Sequence, residues 1–70
     1  MRVTVKTASR LLGISPFSLQ CGLRDNKLPF GSAWKNEGSS THTYLISPAK
    51  FADYLGISMK ELEERSNRHD

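Results

Sequence analysis

Apolar residues recur at Val5, Ala8 and Leu12, with Ser9 on the same stripe and Leu11 widening it. This three-and-four spacing is that of a helix with one buried face. It returns at Leu19, Gly22 and Leu23, and again around Phe51, Ala52, Leu55 and Leu62. Between His42 and Ile46 the period drops to alternation, the mark of a strand. The pattern predicts four helices, over about 5–12, 16–25, 48–55 and 59–65, with a β-hairpin between the second and third. Phe30, Trp34, Tyr44 and Ile46 are the expected buried face of that hairpin.

The helix starts are spelled out locally. Ser15-Pro16 and Ser47-Pro48 each place a preferred N-cap before a proline at the first helical position, where a missing N–H removes no bond. Ser58 with Glu61 makes a capping box. An isoleucine precedes each of these serines, and an apolar residue follows five positions later: Ile14 with Leu19, Ile46 with Phe51, Ile57 with Leu62. That is the spacing of a hydrophobic staple. Gly13, Gly56 and Asn26 stand where a left-handed residue ends a helix. The expectation is a small, mostly helical α+β domain over residues 1–65, with a frayed tail at 66–70.

Composition narrows the classes of function. A 70-residue chain with 37% hydrophobic and 24% charged residues reads as one small globular domain. Such a chain buries only about 60% of its unfolded surface, so a substrate pocket would remove core it cannot spare. Cys21 is the single cysteine, which rules out an internal disulfide and a Cys-rich zinc site and points to a reducing compartment. His42 and His69 have no second ligand at metal spacing. The chain has no Gly-rich phosphate loop, no nucleophile paired with a base and no paired carboxylates in a predicted cleft. Neither an enzyme nor a cofactor is expected. The first residues lack a signal-peptide core and no run reaches the roughly 18 apolar residues of a membrane span, so a cytoplasmic protein with no membrane partner is expected. The net charge is +3, unevenly spread: residues 1–60 hold eight Lys or Arg against three acids, and residues 61–70 hold two against four. A basic body suits a polyanionic partner.

The first two predicted helices are joined by a three-residue turn containing Gly13, which makes a helix-turn-helix. With Leu19, Gly22 and Leu23 inward, Phe17, Gln20, Cys21 and Arg24 form an outward row about 150° away by the 3.6-residue period. Such a face fits the DNA major groove, where Gln20 can pair with adenine and Arg24 can address guanine or a phosphate. Ser15, Ser18, Lys27 and Lys35 suit phosphate oxygens. The polar hairpin tip, with Asn36, Ser40 and His42, is placed to touch flanking backbone or a minor groove, as a flexible wing. For each of these residues the plain alternative is a solvated surface side chain. Phe17 has two uses, contact with thymine methyls or packing against the hairpin, and packing is favoured. Cys21 reads as a small packing residue in preference to a redox switch. A second helix-turn-helix is present in outline, because Leu-Gly-Ile-Ser occurs at both 12–15 and 55–58. Charge decides between them: Glu61, Glu63 and Glu64 on the later one would repel phosphates, while Arg24 and Lys27 attend the earlier.

The ordered set Val3-Thr4-Val5, Ala8-Ser9, Leu12-Gly13-Ile14-Ser15-Pro16, Ser18-Leu19, Leu28-Pro29, Tyr44, Ile46-Ser47, Phe51 and Tyr54-Leu55 resembles the excisionase-type, MerR-like winged helix-turn-helix family. The likeness covers residues 3–55. It implies a recognition helix at 16–25, a wing at 31–45 and a role at phage or mobile-element DNA. Family members include excisionases, small transcription regulators and the DNA-binding domains of phage terminase small subunits. The implied partners are double-stranded DNA, further copies of the chain on adjacent sites, and an integrase or recombinase met through the C-terminal helix. The chain differs from the family in carrying Asn26 where a glycine is usual, and in having only Lys35 as fixed charge on the wing. That low charge keeps a second class open, a protein-interaction adaptor using the Phe17/Trp34 surface or the acidic last helix.

Overall fold

Four side-chain caps set the helix starts. Thr4, Ser15, Ser47 and Ser58 are extended residues whose hydroxyls accept from the backbone N–H groups of Thr7, Ser18, Lys50 and Glu61. From these caps run α1 (Val5–Leu12), α2 (Pro16–Arg24), α3 (Pro48–Leu55) and α4 (Met59–Ser66), with β1 (Gly31–Lys35) and β2 (His42–Ile46) between α2 and α3. The computed structural model describes residues 1–68. The fold is a small α+β arrangement of four helices and one two-stranded antiparallel sheet. Among the described residues no helix is long and apolar enough to cross a membrane. The predicted spans agree with the observed ones to within one residue. Ser66, expected in the tail, belongs to α4, where its hydroxyl donates to the Leu62 carbonyl at 2.8 Å. His69 and Asp70, and with them the end of the expected tail, lie outside the described residues.

Three of the helices end alike. At Gly13, Asn26 and Gly56 the backbone turns left-handed, with φ of 72°, 56° and 72°. In each case the following N–H reaches back five residues: Ile14 to Ser9, Lys27 to Gly22 and Ile57 to Ala52. This is the Schellman arrangement, and an asparagine tolerates the left-handed region better than most side chains. The expected use of Asn26 as a helix stop is what the structure shows.

The core joins all the helices to one face of the sheet. Ala8, Leu19, Phe30, Phe51 and Leu62 are fully buried, with Leu23, Val3, Ile46 and Ala52 nearly so. Phe30 lies at its centre, its ring 4.9 Å from that of Phe51 and 5.1 Å from that of Tyr54. Offset, tilted ring pairs of this kind are favoured over face-to-face stacks. Ser9 is the one polar residue in this buried set, and its hydroxyl donates to the Lys6 carbonyl at 2.9 Å. The partners of the three staple isoleucines, Leu19, Phe51 and Leu62, are all buried, but Ile14 remains 42% exposed.

The sheet register corrects one expectation. Gly31 pairs with Ile46, Ala33 with Tyr44 and Lys35 with His42, so these residues share one face. Trp34 pairs with Thr43 and points the other way, alongside Leu45 and Ser32. Trp34 is 48% exposed and is not part of the core. The reason is the period of two: Trp34 is out of phase with Ala33 and Lys35, and Ala33 is the small inward residue.

Candidate nucleic-acid interface

The Ser15 cap and Pro16 fix where α2 begins, and Leu19 and Leu23, at 0% and 1% exposure, fix its rotation. With those leucines inward, the opposite side carries Phe17, Gln20, Cys21 and Arg24. Phe17 and Arg24 are exposed, and Gln20 and Cys21 half-buried. Phe17 is 68% exposed, which overturns the expectation that it folds against the hairpin. It stands in the first turn of α2, on the side opposite the buried leucines, where nothing covers it. Ser15 is occupied by its cap: its oxygen accepts from the Ser18 N–H at 3.1 Å and its proton goes to Ser18 Oγ at 2.9 Å. Ser18 therefore keeps its own hydroxyl proton for an outside acceptor. Pro16 has no N–H, and the Phe17 N–H has no partner among the described residues, so the positive end of the helix dipole faces outward here.

At the other end of the row, an Arg24 guanidinium nitrogen donates to Cys21 Sγ at 3.3 Å. This contact, with Tyr44 nearby, holds the Arg24 guanidinium above its ordinary pKa. Tyr44 was expected only as core. It is half-buried, close enough to bear on the Arg24 charge, and its ring centroid is 6.2 Å from that of His42. His42 in turn is the register partner of exposed Lys35. Tyr44, His42 and Lys35 thus share one face of the hairpin. Tyr44, expected on the buried face of the hairpin, does pack against the core. Close approach of α2 and the hairpin depends on Gly31: a Cβ there would lie 2.9 Å from Leu23 Cδ2 and 2.5 Å from the Leu45 carbonyl oxygen.

The hairpin tip, expected as a flexible wing, carries hydrogen bonds of its own. The Asn36 N–H donates to the Thr41 carbonyl and the Ser39 N–H to the Asn36 carbonyl. Thr43 Oγ1 donates to Asn36 Oδ1 at 2.9 Å, and Ser39 and Thr41 join their hydroxyls at 2.7 Å. Asn36 is left with its amide N–H donors for outside use. Ser40 and Lys27 are exposed, Lys27 just past the end of α2. Among the described residues no group of three His, Cys, Asp or Glu is placed to hold a metal ion.

Exposed acids also stand on this surface, Asp25 at the end of α2 and Glu37 at the hairpin tip, and three glutamates lie on α4. On α4, Glu61 pairs with Arg65 at 2.9 Å, and that hydrogen bond holds its carboxyl below its ordinary pKa. Glu63 and Glu64 are exposed. No family model, no curated protein and no solved structure matches this chain.

Proposed function

We propose that the chain is a winged helix-turn-helix domain that binds double-stranded DNA sequence-specifically, with α2 as the recognition helix and the β1–β2 hairpin as the wing. The observation that carries this reading is the row Phe17, Gln20, Cys21 and Arg24, exposed at both ends and half-buried between them, on a helix whose other side is locked into the core. An α-helix enters the major groove, where an amide side chain can bridge adenine and a guanidinium can address guanine. Ser18, Lys27 and the Phe17 N–H supply phosphate contacts that fix the register. The hairpin, with His42 and Lys35 on one face, carries the contact onto flanking backbone. The domain performs no chemistry of its own. Its place is in the cytoplasm, as an excisionase or small transcription regulator of a phage or mobile element. A packaging role like that of a terminase small subunit uses the same surface.

The test is a fluorescence-anisotropy titration on a duplex selected from random sequence. Arg24→Ala is expected to weaken specific binding by about 1–3 kcal/mol. Unchanged affinity would remove α2 from the interface. A second reading, a protein-binding adaptor, is favoured by the outer hairpin face, where Trp34 and Leu45 are 48% and 59% exposed. An adaptor gives no anisotropy change on random-sequence DNA at low salt, even at high micromolar protein.

A further inference from the structure

We infer that Phe17 is a specificity-determining residue that reads the C5-methyl group of a thymine next to the base pair addressed by Gln20. This inference rests on the DNA-binding reading above and goes beyond it by naming the base feature recognised. A 68% exposed phenylalanine on the open side of α2 contributes nothing to the core. Its neighbours by helical spacing are Gln20 and Cys21, and Arg24 continues the row. Gln20 lies one turn along from Phe17, about 4.5 Å of helix rise, which is close to the roughly 3.4 Å step between base pairs. A helix laid along the groove through Gln20 and Arg24 therefore presents the Phe17 ring to an adjacent pair. The apolar feature offered there is the pyrimidine 5-methyl, and apolar side chains meet it in the major groove. Thymine is the source to which the site commits, because it is the base of unmodified DNA that carries this methyl; 5-methylcytosine carries the same group. The charge beside the row is mixed, with exposed Arg24 and Lys27 flanking exposed Asp25, while Glu63 and Glu64 are on α4.

The experiment begins with a duplex selected from random sequence by the wild-type protein. Each thymine in the recovered site is replaced singly by deoxyuridine, which removes the methyl and leaves the pairing intact. At one position the replacement is expected to weaken wild-type binding about three- to tenfold, the size set by burying one methyl. Phe17→Ala should bind the thymine and uridine duplexes equally, and Phe17→Leu should keep part of the discrimination. Circular dichroism and urea titration of both variants should match wild type, since the side chain is outside the core. In a separate arm, cytosine and 5-methylcytosine are placed at the sensitive position opposite guanine; a preference for the methylated base there supports methyl recognition, and equal affinity overturns it. Deoxyuridine that is neutral at every position, or equally damaging to Phe17→Ala, overturns the inference while leaving DNA binding standing. Failure to retain any duplex overturns both.

Discussion

Gly22 and Gly31 both lie beneath neighbouring side chains, yet an added methyl would meet different obstacles. At Gly22 the nearest atom is the end of the Leu28 side chain, 2.8 Å from an ideal Cβ. Leu28 is only half-buried and can turn away. At Gly31 the obstacle is the Leu45 carbonyl oxygen at 2.5 Å, fixed by the sheet, with Leu23 Cδ2 at 2.9 Å behind it. Gly31→Ala is therefore expected to lower stability by about 1–3 kcal/mol through overpacking. Gly22→Ala should stay within about 1 kcal/mol of wild type, because alanine gains roughly 0.5–1 kcal/mol over glycine inside a helix. Urea denaturation of the two variants checks the contrast, and equal losses would mean that the sheet can shift to admit a side chain. The same scale separates what the sequence disclosed about the site from what it hid. Gln20 and Arg24 were legible because Leu19 and Leu23 fix the helix rotation. Ser15's engagement with Ser18 was legible only as a cap, since the destination of its proton depends on a rotamer. Tyr44 was legible as part of the hairpin's buried face, where it packs against the core, but its nearness to Arg24 was not, because only the packing of the hairpin on α2 sets it.

Among the elements, α4 is held in a way no local motif records. Its N-terminus follows the capping box, with Ser58 accepting from the Glu61 N–H at 3.1 Å. Its C-terminus is held from across the fold, where Arg10 of α1 donates to the carbonyls of Arg65 at 3.1 Å and Ser66 at 3.2 Å. A cation on the last carbonyls of a helix satisfies orphan acceptors and opposes the negative end of the dipole. Arg10→Ala is expected to cost about 1–2 kcal/mol and to lower hydrogen-exchange protection in α4 more than in α2. Uniform loss of protection along the chain would show instead that α1 and α4 unfold as one unit. Helix boundaries were readable because caps, prolines and left-handed stops act within five residues of one another. The Arg10 contact spans 55 positions and leaves no such trace. The hairpin fell between these cases. Its existence followed from alternation around a Gly/Ser turn, but its phase did not, because Trp34 outweighs Ala33 in any count of apolar residues while Ala33 is the one that fits under Tyr44's face.

At the scale of the whole molecule, charge and size together set how the domain would hold a duplex. Arg10 is committed to α4, so it is not counted toward phosphate contact. Arg24, Lys27 and Lys35 are exposed along α2, its end and the hairpin, with Arg2, Lys6 and Lys50 as further exposed cations. The longest dimension is 38 Å, close to the roughly 34–36 Å of one duplex turn, so one copy can follow the backbone for about a turn at most. A footprint of that length, with the cations available, accommodates about 4–6 phosphate contacts. Each contact releases close to 0.9 counterion, which predicts a log–log dependence of affinity on salt with a slope of about −4 to −5 for one copy. Doubling the salt should then weaken binding by about 20-fold. Anisotropy titrations on the selected duplex between about 50 and 200 mM salt measure the slope, and Lys27→Ala should make it shallower by about one without changing which sequence is preferred. A slope shallower than about −2 would mean that α2 and the hairpin neutralise too few phosphates to be the working surface, and would turn attention to the exposed Trp34 and Leu45 face.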